Sequence, residues 1–353
     1  MTTLRTAVGQ YFTLTKHKGD FGIEIETEVK KLEDYPDSFF RSNKDGMTVP
    51  PFSDWIVHSD GSLRNVGYEF VFDRPKTFEE SIKALDVFAE GTREIKFLKN
   101  APATSVHVHV NMADEELIVL ANFLTLWSMF ESILVNYSGE TRRSNLFALP
   151  LRVAEGNLVY MKKVIDWAGR NPMMFPASDN GAKYSALNIA RLSIFGSLEI
   201  RSFRGETDIN EIKRWLSIIN QVRMFAKIPG MTPTKIMEEV KENRYEFIEK
   251  VFDKFTSSIR MTVPETNFLF DKNLWYGMIM ATVVEDWEEF NRGTEIKEKK
   301  PRRKFPGSLT VTTITPDLLV APISEATVAE YESGFTITET EETEEDSYDD
   351  FDD

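Results

Sequence analysis

Glu24-Ile25-Glu26, His107-Val108-His109 and Glu199-Ile200-Arg201 place ionisable residues at i, i+2 spacing in three short stretches of this chain. Each lies in a run that alternates apolar with polar or charged residues, at 21–28, 106–110 and 198–201. In a β-strand, period two sends the apolar set into a core and the ionisable set to the opposite face. On such a face Glu24 and Glu26 stand about 7 Å apart. Two carboxylates that close repel each other, and they become favourable together when divalent cations sit between them. His107 and His109 add imidazole nitrogens, Glu199 another carboxylate, and Arg201 a guanidinium that can clamp a carboxylate or a phosphate. Taken singly, each pair also reads as a solvated strand face, as structural histidines or as a cross-strand ion pair. Taken together with Glu69, in Gly67-Tyr68-Glu69-Phe70-Val71, they suit a wall that holds divalent metal and phosphate. Hard cations take carboxylates and leave other positions to phosphate and water, while arginine neutralises charge on a transferring phosphoryl group.

Other chemistries are poorly served. The chain has no cysteine, so thiolate catalysis and disulfides are excluded. It contains neither a Walker loop nor a dinucleotide-binding glycine fingerprint. A cupin site also begins with His-x-His but needs a glutamate soon after, where this chain has Asn111, Met112 and Ala113.

The elements that must carry these residues read as follows. A strand opens at Phe21, residues 31–53 form a long polar loop, and 55–58 with 67–71 form a hairpin around Asp60-Gly61-Ser62. Thr77 and Glu80 have capping-box spacing ahead of a helix with Phe78, Ile82, Leu85 and Phe88 on its apolar face. The His-x-His strand leads into a long buried helix over 114–137, followed by a loop-rich stretch to 183. Residues 184–190 and 197–203 are expected to form a second hairpin, and Ile212, Trp215, Ile219 and Val222 mark an amphipathic helix. Further helices are expected over 233–258 and 277–291. Hairpins and long helices without regular βα alternation argue for an α+β fold with a mainly antiparallel sheet. The domains expected are 1–230 for catalysis, 231–305 as a helical extension, and 306–353 as a linker and acidic, disordered tail.

Of the 353 residues, 41% are hydrophobic and 26 are Phe, a globular composition. The net charge of −15 is concentrated in residues 339–353, which hold ten acids and no base; the rest has 47 acids against 42 bases, about −5. Nothing there calls for nucleic acid. No run approaches eighteen uninterrupted apolar residues, and the first residues lack a signal-peptide pattern, so a cytoplasmic location is expected.

The order of the motifs carries a resemblance. Phe-Gly-Ile-Glu-Ile-Glu is followed by Asp-Gly-Ser-Leu with Gly-Tyr-Glu-Phe-Val, then Val-His-Val-His-Val-Asn, Tyr184-Ser185-Ala186-Leu187-Asn188, and Leu-Glu-Ile-Arg-Ser-Phe-Arg-Gly. Over roughly residues 20–225 this resembles the glutamine synthetase-like amidoligases, which are carboxylate–amine ligases. The resemblance implies ATP and Mg²⁺ as cofactors, and a small-molecule or peptide carboxylate and an amine as substrates. It implies that Glu24 and Glu26 divide between two Mg²⁺ sites, with Glu69 beside Glu26, and His107 and Glu199 beside Glu24. It places His109 near the nucleotide, Arg201 on the carboxylate substrate and Arg204 on phosphate. Arg143 with Asn145, and Tyr184 with Asn188, match further family positions, Arg143 on the phosphate side and the other pair on the substrate side. The implied reaction forms an acyl phosphate that an amine then attacks, with no protein nucleophile. The other readings are a catalytically idle relative acting as a binding or structural protein, for instance of a phage, and a related phosphoryl transferase or glutamate–cysteine-type ligase. Membrane binding is not expected, and a homo-oligomer is an open option.

Overall fold

The alternating runs become adjacent strands because their apolar parity can be buried only by sharing one core face. In the computed structural model, six antiparallel strands form one sheet: β1 Phe21–Val29, β2 Trp55–Ser59, β3 Val66–Phe72, β4 Ser105–Asn111, β5 Leu187–Asn188 and β6 Ser197–Arg204, in the order β2-β3-β1-β4-β6-β5. The helices are α1 Leu4–Val8, α2 Phe78–Gly91, α3 Leu117–Tyr137, α4 Glu140–Arg143, α5 Ile209–Ala226, α6 Pro233–Glu242, α7 Arg244–Phe252, α8 Thr256–Thr262 and α9 Thr266–Asn291. The structure describes residues 3–9, 14–31, 54–99, 101–143, 145–146, 148–151, 156, 158–159, 161–164 and 184–291, with side chains through 284. These all belong to one compact unit, Met1–Thr294. Most of the expected 31–53 loop and everything after 291, the acidic tail included, lie outside the described residues.

Phe21, Ile23, Ile25, Phe70, Val106, Val108, Leu198 and Ile200 fill the core face and are fully buried. Helices α2, α3 and α5 cover that face, and α9 packs on the far side of α3. Trp215 of α5 stacks on Phe203 of β6 at 4.9 Å, and Trp55 sits edge-on to Phe72 at 4.5 Å while its Nε1 donates to the Ala84 carbonyl. Burying each such ring contributes about 1.5–3 kcal/mol. Helix α3 is long and apolar enough to cross a membrane by composition alone, but seventeen of its twenty-one side chains are buried among protein.

Helix α2 begins as its sequence requires. Thr77 Oγ1 accepts from Glu80 N at 3.2 Å and Thr77 N donates to the Glu80 carboxylate at 2.9 Å, the reciprocal capping box. Thr77→Ala is expected to cost about 1 kcal/mol in chemical denaturation, while Thr77→Ser keeps most of the stability.

Three expectations need correction. The stretch 184–190 is not a full strand: only Leu187–Asn188 pairs with β6, because a 3₁₀ turn at Ala190–Ser193 takes over the backbone. Helix α3 starts at Leu117 rather than 114, since Asn111 and the Met112 carbonyl tie 113–115 into a turn. The helical pattern at 233–258 is broken after Glu242 and again at Asp253, whose φ of 48° ends α7, whereas the last helix begins at Thr266, well before 277.

Candidate metal and phosphate site

The face of the sheet opposite the core helices carries the ionisable parity of all three runs. Register explains the clustering: Glu24 lies opposite His107 on β4, Glu26 opposite Glu69 on β3, and His109 opposite Glu199 on β6. Residues opposite one another in an antiparallel pair share a face. Four strands therefore bring five predicted ligands together.

Glu24 is the hub. Its Oε1 is 2.9 Å from His109 Nε2, and its Oε2 is 3.0 Å from His107 Nδ1. Each imidazole is held from behind by a serine: Ser105 Oγ lies 2.7 Å from His107 Nε2, and Ser197 Oγ lies 3.1 Å from His109 Nδ1. Ser105 also donates to Glu26 at 2.6 Å. Gly22, opposite His109, leaves room for that ring, because a Cβ there would come within 3.3 Å of His109 Cβ.

Two triads could each hold a metal ion: Glu24, His109 and Glu199, and Glu24, Glu69 and His107. Within each, the donor atoms lie within 4.8 Å of one another. The grouping differs from the one the resemblance implies, since His109 joins Glu199 while His107 joins Glu69. Register sets this: His109 lies opposite Glu199, whereas His107 lies opposite Glu24 on β1, the strand between it and β3. His107 Nδ1 still approaches Glu199 at 3.5 Å, and its Nε2 approaches Glu26 at 4.0 Å.

The electrostatics match a crowded carboxylate site. Burial pushes the Glu24 carboxyl up, but the charge and hydrogen bonds of His109 and His107 hold it well below the usual carboxylate range. Glu199 behaves likewise: its desolvation is outweighed by His109, His107 and Arg201, which bring it to about 2. Glu69 goes the other way, to about 8, through burial and then the charges of Glu24 and Glu26. Glu24 in turn raises His109 despite that ring's burial. One carboxyl of the cluster thus keeps a proton that a cation would displace.

Glu199 is fully buried and clasped on both oxygens. Asn188 Nδ2 donates to Oε2 at 2.6 Å, Arg191 Nε to the same oxygen at 2.9 Å, and Arg201 Nη1 to Oε1. The structure therefore brings Glu24, Glu26, Glu69, His107, His109, Asn188, Glu199 and Arg201 together. Arg204, at the end of β6, is instead held by Glu206 at 3.0 Å and Glu211 at 3.4 Å, over the Phe203 ring. Tyr184 is 41% exposed, and its carbonyl accepts from Leu149 N. Arg143 points outward from α4, and Arg142 is the buried arginine there. Arg142 donates to the Arg201 carbonyl, and desolvation lowers its pKa to about 10 despite the charge of Glu26.

A cavity of about 240 Å³ adjoins the cluster, lined by Glu24, His109, Asn111 and Ser197 on the sheet and by His17, Arg74 and Phe195 at its margins. His17, Arg74, Arg191 and Phe195 gave no signal in the sequence, because loops and a short 3₁₀ turn bring them to the sheet. Ser105 and Ser197 could have been found, since each stands two residues before a ligand on the same strand face.

The fold and site thus define an antiparallel α+β sheet whose face opposite the core helices carries a largely buried carboxylate–histidine cluster beside a cavity. No protein family and no curated protein matches the chain. Among solved structures, the chain is similar to a bifunctional glutathione synthetase from Pasteurella multocida, at 11% identity and a TM-score of 0.35, over 77% of this chain and 49% of that one. The chain thus spans about half the length of that protein.

Proposed function

We propose that this protein is an ATP- and Mg²⁺-dependent ligase that joins a carboxylate to an amine through an acyl phosphate. The observation that carries the reading is the pair of triads sharing Glu24, set beside a cavity. The order of motifs along the chain supports it. The donor set fits the metal: each triad offers two carboxylates and one imidazole, leaving positions for phosphate and water. The imidazoles are oriented by Ser105 and Ser197, as metal-ligating histidines are by outer partners.

In this reading Glu24, His109 and Glu199 would hold one Mg²⁺, and Glu24, Glu69 and His107 a second, with Glu26 acting through Ser105. Bound Mg²⁺ would neutralise the phosphates and the charge that develops during transfer. Arg201, fixed by Glu199, would hold the carboxylate substrate in line. Arg142 keeps the Arg201 backbone in place through its carbonyl. The cavity beside His109 would take the nucleotide. No protein side chain need act as nucleophile.

Thermal melting of the full chain with ADP, with and without Mg²⁺, tests the reading. A Mg²⁺-dependent rise in Tm is expected, because a ligand stabilises the state it binds. ADP release from ATP that requires both a carboxylate and an amine would then establish ligation. Absence of any Mg²⁺-dependent shift at millimolar nucleotide would refute the nucleotide site.

A further inference from the structure

Arg191 is an arginine at the cluster that neither the sequence motifs nor the proposed ligand set assigns. It sits in the 3₁₀ turn between β5 and β6, and its own carbonyl accepts from Ile194, Phe195 and Gly196 at 3.1, 2.8 and 3.2 Å. That fixes where the side chain starts. Its Nε donates to Glu199 Oε2 at 2.9 Å, and its guanidinium carbon lies 5.7 Å from the centroid of Phe195. Phe195 in turn walls the cavity, edge-on to His109 at 6.3 Å. The guanidinium therefore touches the Glu24–His109–Glu199 triad at Glu199 and packs on Phe195, a wall residue of the cavity, without itself lining that cavity.

The neighbouring arginines are committed elsewhere. Arg142 is almost fully buried, and Arg204 is shared between Glu206 and Glu211. Arg74 is bonded to Glu80 and to the Pro75 carbonyl. Arg201 is 13% exposed, against 30% for Arg191. Among the described residues, the bond to Glu199 is the only side-chain hydrogen bond that Arg191 makes, and it uses Nε alone. Its two terminal nitrogens keep their donors for another acceptor. A planar fork with free donors, beside two ionised carboxylates that can hold a cation, is suited to a bidentate phosphate contact.

We infer that Arg191 binds a phosphate oxygen of the nucleotide through its terminal nitrogens while its Nε stays on Glu199. This rests on the proposed nucleotide site and adds to it a specific anion contact. Arg191 thereby ties the metal-binding carboxylate to the phosphate that the same metal would bind.

The test separates this role from that of a mere support for Glu199. Mn²⁺ binding is measured by electron paramagnetic resonance, and ADP binding in Mg²⁺ by calorimetry, for the wild type, Arg191→Gln and Arg191→Lys. Arg191→Gln is expected to weaken ADP about tenfold while leaving Mn²⁺ affinity unchanged or tighter, because Glu199 loses a competing cation. Arg191→Lys should recover part of the ADP affinity, as a point charge without the fork. Equal weakening of Mn²⁺ and ADP would show that Arg191 only positions Glu199, and unchanged ADP affinity would show no phosphate contact. Either result overturns the inference and leaves the nucleotide site standing. Failure of the wild type to bind ADP removes both.

Discussion

Glu24→Ala is expected to abolish Mn²⁺ binding and the Mg²⁺-dependent rise in Tm with ADP, while the protein still folds. Glu24 alone belongs to both triads, so its loss leaves each with one carboxylate and one imidazole. Removing even an outer partner of a metal ligand typically costs about 10–100-fold in affinity. Loss of a shared ligand should exceed that, on the order of 100-fold or more at both positions. A ligand present at 100 times its Kd stabilises by about 2.7 kcal/mol, and that increment should vanish. Folding should survive because Glu24 lies on the face opposite the core helices, with its neighbours Ile23 and Ile25 carrying the core side. Glu28→Gln is the control. Glu28 shares the strand face but accepts from Arg64 N and Asn65 Nδ2, tethering the loop between β2 and β3. Its replacement should lower Tm and spare metal affinity. Full Mn²⁺ affinity in Glu24→Ala would place the metal elsewhere.

The contrast between Glu24 and Glu28 shows where sequence reading succeeds and stops. Period-two alternation identified β1, β4 and β6 and assigned each residue to a face, since a strand has only two faces. It also located the capping box and the hairpin, both of which are short-range. It could not give the strand order, which depends on long-range pairing, nor the register that sets His109 against Glu199. Glu28 looks like Glu24 in sequence, yet register and a loop make it a structural acceptor. Arg142 and Arg143 are adjacent and chemically identical, and only the direction of a four-residue helix turns the first inward. Arg191 and Phe195 lie in the connection of the expected second hairpin, and a 3₁₀ turn at Ala190–Ser193 brings them to the site. The ligands were thus legible because strands present them, and the second arginine and the cavity wall were not because turns do.

Glu69 gives the second large effect, and its sign is opposite to that of an ordinary paired carboxylate. Its pKa is raised to about 8 by burial and by Glu24 and Glu26, from 4.5 for an unperturbed glutamate. Between those values the folded protein holds a proton that the unfolded chain has released, so stability falls as pH rises. The contribution is fully present below pH 4.5 and is lost as pH passes through about 8. Each pKa unit corresponds to about 1.4 kcal/mol, and partial exposure reduces the sum to the order of 2–3 kcal/mol. Glu69→Gln, which stays neutral, should flatten the decline and be the more stable protein at pH 8.5 without metal. A divalent cation reverses this ordering, because it favours the ionised carboxylate and expels the proton. Mn²⁺ binding to the wild type near pH 7 should therefore release protons, visible as a dependence of calorimetric heat on buffer ionisation. Mn²⁺ affinity should climb with pH toward 8, and Glu69→Gln should lose much of both effects. If the variant's stability profile paralleled the wild type's, Glu69 would not carry the proton. If proton release persisted in the variant, Glu69 would not be the group the metal displaces it from.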